Sequence, residues 1–347
     1  MDLTERINTF VAVGDTIRKS LEGRSGRYET ILSELIGIQQ LNNPWFTPDN
    51  VRLSLQSVAD MLVHDKLARW TSSYPELRES NDALKVGVIM AGNIPLVGFH
   101  DFLCVLITGN NILAKTSTKD NDLIRLVAEI LCYENKDFSG LIEFADGPLK
   151  GFDAVIATGS DNSARYFEYY FGKHPCIIRK NRNSAAILSG EESKSEIRQL
   201  ATDVFSYFGL GCRNVSKVFL PEGYDTDILL NSWDHYSGII NHSKYANNYE
   251  YNKAICLVNR EPFRDGGFVL LKESTGLSSP VSVLNYEYYS NPETVYGIFD
   301  MSREKIQCIV GPGNIPFGMS QMPEPWEYQD NIDTIDFLSK KNHARIF

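Results

Sequence analysis

The sequence has no Cys-x-x-Cys pair and no cysteine or histidine grouping at metal-site spacing. Its cysteines, Cys104, Cys132, Cys176, Cys212, Cys256 and Cys308, are widely scattered. That excludes a zinc module built on close cysteine pairs, and no metal ligands are expected. Gly-x-Gly-x-x-Gly is also missing, so the usual dinucleotide fingerprint at a first βα turn is absent. Basic residues are in deficit: Lys+Arg number 34 against 44 Asp+Glu, a formal charge of −10. Nucleic acid is therefore not an expected partner, since phosphate backbones call for a basic surface. A local patch or a helix N-terminus can still take a small phosphate-bearing molecule. Long apolar runs are lacking too. The most apolar stretch, 95–113, is broken by His100, Asp101, Asn110 and Asn111. It reads as a buried helix, and no membrane span is expected. The polar residues 1–6 contain no signal-peptide core, so reduced thiols in a cytoplasm are the simplest expectation. No internal repeat or low-complexity segment is visible.

What the chain does have is 347 residues, 43% of them hydrophobic and 22% charged. That is enough for one large or two ordinary soluble domains. Residues 1–80 read as a helical segment, with Thr47-Pro48 as N-cap and first turn and Val51, Leu55, Val58, Met61 and Leu62 on one face. From residue 84 the pattern alternates. Strands are expected at 84–90, 112–117, 142–145 and 153–158, with helices at 95–107, 121–133 and 161–171. A second series follows. Ile197, Leu200, Ala201, Val204, Phe205 and Phe208 share a helix face ended by Gly209 and Gly211, and strands are expected at 215–220, 268–271, 281–285 and 306–310. The fold class is α/β, two domains with parallel-rich sheets after a helical N-terminal segment. The expected divisions are 1–80, a nucleotide-binding domain at 81–182, a catalytic domain at 183–315, and a segment at 316–347 that returns to the core or to an oligomer interface.

Four segments carry candidate chemistry. Asn93, in Gly92-Asn93-Ile94-Pro95, stands where a strand runs into a helix. Its amide could donate to a developing oxyanion or simply cap the helix. Lys115, with Thr116 and Ser117, closes a strand. It could reach a ribose or phosphate, or be a solvated strand-end lysine. Thr158-Gly159-Ser160 joins strand to helix and could cradle a pyrophosphate or form an ordinary capped turn. Cys212 lies in Phe208-Gly209-Leu210-Gly211-Cys212-Arg213-Asn214, where glycines open access to the thiol and Arg213 would favour thiolate. The helix C-terminus upstream works against an anion. The other cysteines sit in apolar, helix or strand patterns and read as small core residues.

In order and spacing these segments resemble the aldehyde dehydrogenase superfamily from about residue 84 onward. Asn93-Ile94-Pro95 is similar to its Asn-Phe-Pro, 109–117 to its Gly-Asn-x-x-Val-x-Lys-Pro-Ser, Thr158-Gly159-Ser160 to its Thr-Gly-Ser, and Pro316-Phe317-Gly318 to its late Pro-Phe-Gly. Asn43-Pro44-Trp45-Phe46-Thr47 and Phe-Gly-x-Gly-Cys-Arg-Asn look like the acyl-CoA reductase branch that supplies fatty aldehyde in bacterial luminescence. The resemblance implies Cys212 as nucleophile, Asn93 and the Cys212 N–H as the oxyanion hole, and Lys115, Ser117, Thr158, Gly159 and Ser160 as contacts of NADP(H) or NAD(H). Acyl-CoA or acyl carrier protein would be the substrate. Two departures matter. The family's hydrolytic glutamate falls at Ile178, which cannot act as a base. Thr118 replaces its ribose-binding acid, which removes repulsion toward a 2′-phosphate and tilts the expectation to NADPH. Glu273 is the nearest candidate for the glutamate that holds the nicotinamide ribose. A homo-oligomer is possible, although the chain is short at its N-terminus for the family. The alternatives are an aldehyde or semialdehyde dehydrogenase, or a catalytically idle nucleotide-binding relative.

Overall fold

A computed structural model of the chain describes residues 1–79 and 82–339. The boundary expected at 80/81 and residues 340–347 of the expected C-terminal segment lie outside the described residues. The chain divides into two compact units, one of residues 1–181 with 323 onward and one of residues 182–322.

The first unit opens with α1 (Leu3–Leu21), α2 (Arg27–Asn42), α3 (Pro48–Met61) and α4 (His64–Ser72). Asp2 and Glu5 cap the start of α1 reciprocally, which satisfies two amides that the helix itself cannot. Thr47 accepts from Asn50 N and Pro48 occupies the first turn of α3, with Val51, Leu55, Val58 and Met61 buried. Then come β1 (Lys85–Ile89), α5 (Phe99–Ile107), β2 (Asn111–Lys115), α6 (Asp122–Glu134), β3 (Ile142–Phe144), β4 (Ala154–Thr158), α7 (Asp161–Phe171) and β5 (Cys176–Arg179). Among the described residues the sheet has five strands in the order β3-β2-β1-β4-β5, and every neighbouring pair is parallel. All carboxyl ends therefore line one edge. The order reverses between β1 and β4, the place where open α/β sheets form a binding crevice. The helix expected from Pro95 starts instead at Phe99. Leu96 is left-handed, φ 56°, and a right-handed helix cannot include it. Every residue of α5 is buried, which explains the apolar run 95–113 as a core helix. Among the described residues no helix is long and apolar enough to cross a membrane.

The second unit contains β6 (Asn183–Ile187), α8 (Lys194–Phe205), β7 (Val215–Pro221), α9 (Asp227–Ser232), α10 (Ser243–Asn259), β8 (Arg264–Asp265), β9 (Leu270–Glu273), β10 (Val283–Tyr289), α11 (Pro292–Met301) and β11 (Ile306–Val310). Its six strands run in the order β11-β6-β7-β10-β9-β8. The β8–β9 pair is antiparallel and the others are parallel. The helix expected to reach Phe208 ends at Phe205, because Tyr207 and Phe208 turn left-handed. The strands expected at 268–271 and 281–285 run later, at 270–273 and 283–289.

Residues 323–339, ending in α12 (Thr334–Ser339), group with the first unit. A buried ion pair fixes them. Arg179 and Asp101, each 1% exposed at the side chain, meet at 2.7 Å, and the same guanidinium donates to Gln329 O at 2.5 Å and Thr334 Oγ1 at 2.9 Å. His100 bonds Pro325 O at 2.8 Å, and Trp70 Nε1 donates to Tyr328 Oη at 2.8 Å.

Candidate functional site

In the first unit Asn93, Lys115, Ser117 and Thr158-Gly159-Ser160 all lie at or just beyond the carboxyl ends of parallel strands and so share one edge of the sheet. Asn93 is exposed. The N-cap of α5 is Gly98, so the reading of Asn93 as a helix cap is corrected: the left-handed turn at Leu96 separates it from the helix. Gly92 passes so close to Ser117 that an added Cβ would stand 2.5 Å from its Oγ. The Asn93 segment therefore rests directly on the end of β2. Lys115 Nζ donates to Gly147 O at 2.8 Å. Lys115, Thr116, Ser117, Thr118 and Arg125 line an open groove of about 480 Å³, to which α2 adds Gln39 and Asn42. Ser160 caps α7 by accepting from Ser163 N. A Cβ on Gly159 would stand 2.8 Å from Ser163 Cβ and 2.9 Å from Phe167 Cε2, so only glycine lets the strand enter the helix this tightly.

These residues fit an extended dinucleotide. The groove offers a lysine and hydroxyls, and leading amides of α7 beyond the one Ser160 satisfies have no partner within the helix. Ile178 is half-buried near the end of β5, paired in register with Ala157.

Cys212 belongs to the second unit and is half-buried. It ends a turn wound through Tyr207 (φ 51°), Phe208 (φ 59°) and Gly209 (φ 77°). Two successive left-handed residues other than glycine are strained, and such strain collects at functional sites. The buried amide of Asn214 ties the turn together. Its Nδ2 donates to Asp203 O at 3.1 Å and Ser206 O at 2.8 Å, and its Oδ1 accepts from Gly211 N at 2.8 Å. Ser184 Oγ donates to Cys212 O at 2.9 Å and accepts from Cys308 N at 3.2 Å, so β6 and β11 fix the carbonyl of Cys212. Arg213, read as a cation beside the thiol, sends its Nε to Ser320 O at 2.5 Å. Asp203 accepts from Gly318 N at 2.6 Å and Ser320 N at 2.9 Å. Burial raises the Asp203 carboxyl, and these N–H donors and Arg213 oppose that. The late Pro-Phe-Gly element is thereby buttressed against α8.

Glu273 is exposed at the end of β9. Through Tyr286 it is level with Val218, about 10 Å along β7 from Val215 at 3.3 Å per residue. Cys212 lies before Val215, at the amino end, so the sheet does not bring the two together at one level. Among the other cysteines Cys104, Cys256 and Cys308 are buried, whereas Cys132 and Cys176 are half-buried with thiols that burial holds above their ordinary value. Asn214, Ser184 and Asp203 went unassigned in the sequence. Asn214 sits within the cysteine motif, but its partners lie upstream, where no spacing rule points.

No protein-family model matches the sequence, and no curated protein matches it significantly. Solved structures do. An NAD-dependent aldehyde dehydrogenase from Sinorhizobium meliloti superposes with TM-score 0.63 at 13% identity, covering 93% of this chain and 73% of that one. A Mycobacterium tuberculosis aldehyde dehydrogenase complexed with NAD+ gives 0.62 at 14% identity, covering 86% and 71%. An acetylating aldehyde dehydrogenase from Geobacillus thermoglucosidasius gives 0.56 at 11% identity, covering 89% and 76%. The chain therefore has the aldehyde dehydrogenase fold, and its structural neighbours are members of that superfamily.

Proposed function

We propose that the chain reduces an acyl thioester, of CoA or of an acyl carrier protein, to the aldehyde with NAD(P)H. Two features support this reading: a strained, half-buried turn at Cys212, and an apolar residue, Ile178, at the position to which the resemblance assigns the hydrolytic glutamate. The Cys212 thiolate attacks the thioester carbon; a new C–S bond forms and the carrier thiolate leaves. The Asn93 amide and the Cys212 N–H donate to the oxyanion that develops. With no carboxylate at position 178 to activate water, the acyl group stays on sulfur. Lys115, Ser117, Thr158, Gly159 and Ser160 hold the dinucleotide, and Thr118, in place of an acid, admits a 2′-phosphate. A nicotinamide held by these residues would supply hydride to the acyl carbon, with the Cys212 thiolate as leaving group when the aldehyde is released. The likeness to an acetylating aldehyde dehydrogenase favours, as a second reading, the same chemistry run from aldehyde to thioester.

The test is acyl-CoA-dependent oxidation of NAD(P)H with the aldehyde trapped as product. Wild type should turn over and Cys212→Ala should not. Equal rates in the two proteins would end the proposal, as would carboxylate made from aldehyde without CoA. Ile178→Glu should add a slow release of free acid from acyl-CoA.

A further inference from the structure

The turn that carries Asn93 is held by polar groups in the first unit. Ser54 Oγ donates to Pro95 O at 2.7 Å, and Gln329 Nε2 donates to Val97 O at 3.1 Å. Leu96 N donates to Asp120 Oδ2 at 2.8 Å. Ser54 and Gln329 hold carbonyls; Asp120 supplies the acceptor for the N–H of the left-handed residue itself. Leu96 is 5% exposed and Asp120 4%. A bulky residue at φ 56° keeps that conformation only where its surroundings impose it. The other Asp120 oxygen, Oδ1, is buried with no hydrogen-bond partner among the described residues. A half-satisfied buried carboxyl is an unfavourable choice for a purely structural position. Burial pushes the Asp120 carboxyl up to about 7, and Asp122 in the first turn of α6 adds repulsion while Leu96 N–H opposes it. Asp120 also closes the turn after β2, its N–H donating to Ser117 O at 3.1 Å. One residue thus joins the segment assigned to the cofactor, 115–117, to the turn assigned to the oxyanion.

We propose that Asp120 is a positioning residue: its buried carboxylate, through Leu96 N–H, imposes the left-handed turn that presents Asn93. The claim about Asn93 in the reaction rests on the preceding reading; the claim about the turn stands alone. A carboxylate holds an N–H more strongly than a neutral carbonyl oxygen does. Asparagine keeps an acceptor oxygen of the same reach and loses the charge, whereas alanine removes the acceptor.

The experiment uses the full chain at pH 8 and has two readouts, amide hydrogen exchange at Leu96 and the rate of Cys212 acylation by an acyl-CoA. In Asp120→Ala, Leu96 should exchange at least tenfold faster than in wild type and acylation should slow at least tenfold. Asp120→Asn, which preserves shape and guards against a folding failure of the alanine variant, should recover both to within about threefold. Leu96 exchange unchanged in Asp120→Ala overturns the proposal, and so does a loosened turn with an unchanged acylation rate. A wild-type chain that takes no acyl group removes the reaction reading, while the exchange comparison still decides whether Asp120 holds the turn.

Discussion

In the Cys212 turn the left-handed residues come in succession, Tyr207 to Gly209, and a neutral amide, Asn214, binds carbonyls upstream and an N–H downstream. In the Asn93 turn only Leu96 is left-handed, and the group on its N–H is a carboxyl with one oxygen unsatisfied. Both turns hold strained backbone through buried polar side chains. They differ in what can loosen them. The Asn214 hub responds to no proton, whereas Asp120 changes charge near neutrality. A neutral, well-satisfied hub suits a turn that must stay fixed under the proposed nucleophile; a titratable one leaves the turn proposed for the oxyanion sensitive to its surroundings.

The largest expected effect breaks this contrast at its titratable side. The folded pKa of Asp120, about 7, lies above the unfolded value near 3.9. The protonated carboxyl therefore contributes stability that is full below about pH 4 and lost as pH rises through about 7. Relative to Asp120→Asn, wild type should lose roughly 3 kcal/mol between pH 5 and pH 8 in urea unfolding. A difference that does not change with pH would put Asp120 in the same class as Asn214. Next, Asn214→Ala strands Gly211 N and the carbonyls of Asp203 and Ser206, and should destabilise by ~2–3 kcal/mol at pH 5 and pH 8 alike. Ser184→Ala frees the carbonyl of Cys212. It should cost ~1–1.5 kcal/mol and slow acylation severalfold, read by denaturation and by rapid-quench acylation. The smallest is Gly209→Ala. The nearest atom to an added Cβ is Val204 O at 3.5 Å, so the effect is conformational, ~1 kcal/mol from the positive φ.

Much of the architecture was legible because buried parallel strands and their helices leave continuous apolar runs. β1, α5 and β2 could be drawn from 84–115, and Thr47-Pro48 announced α3. The start of α5 was not legible. Pro95 suits a first helical turn, and nothing local says that Leu96 turns left-handed; the partners of that turn, Asp120 on Leu96 N and Ser54 on Pro95 O, are distant in sequence. The helix before Cys212 was overextended for the same reason, since Phe208 keeps the apolar spacing while its backbone leaves the helix. At the candidate site, strand ends and glycines were readable, because they obey positional rules. Nothing local in Thr118-Lys119-Asp120-Asn121 signals that Asp120 is buried or that it meets Leu96. Asn214 carries no local signal either.

On the proposed reading, Cys212 accepts an acyl group and keeps it. The most direct measurement is the intact mass of the chain after incubation with an acyl-CoA and no nicotinamide, followed by peptide mapping. One acyl adduct is expected, on Cys212, that persists until NAD(P)H is added and is absent from Cys212→Ala. No adduct on wild type, or one on a different cysteine, would contradict it.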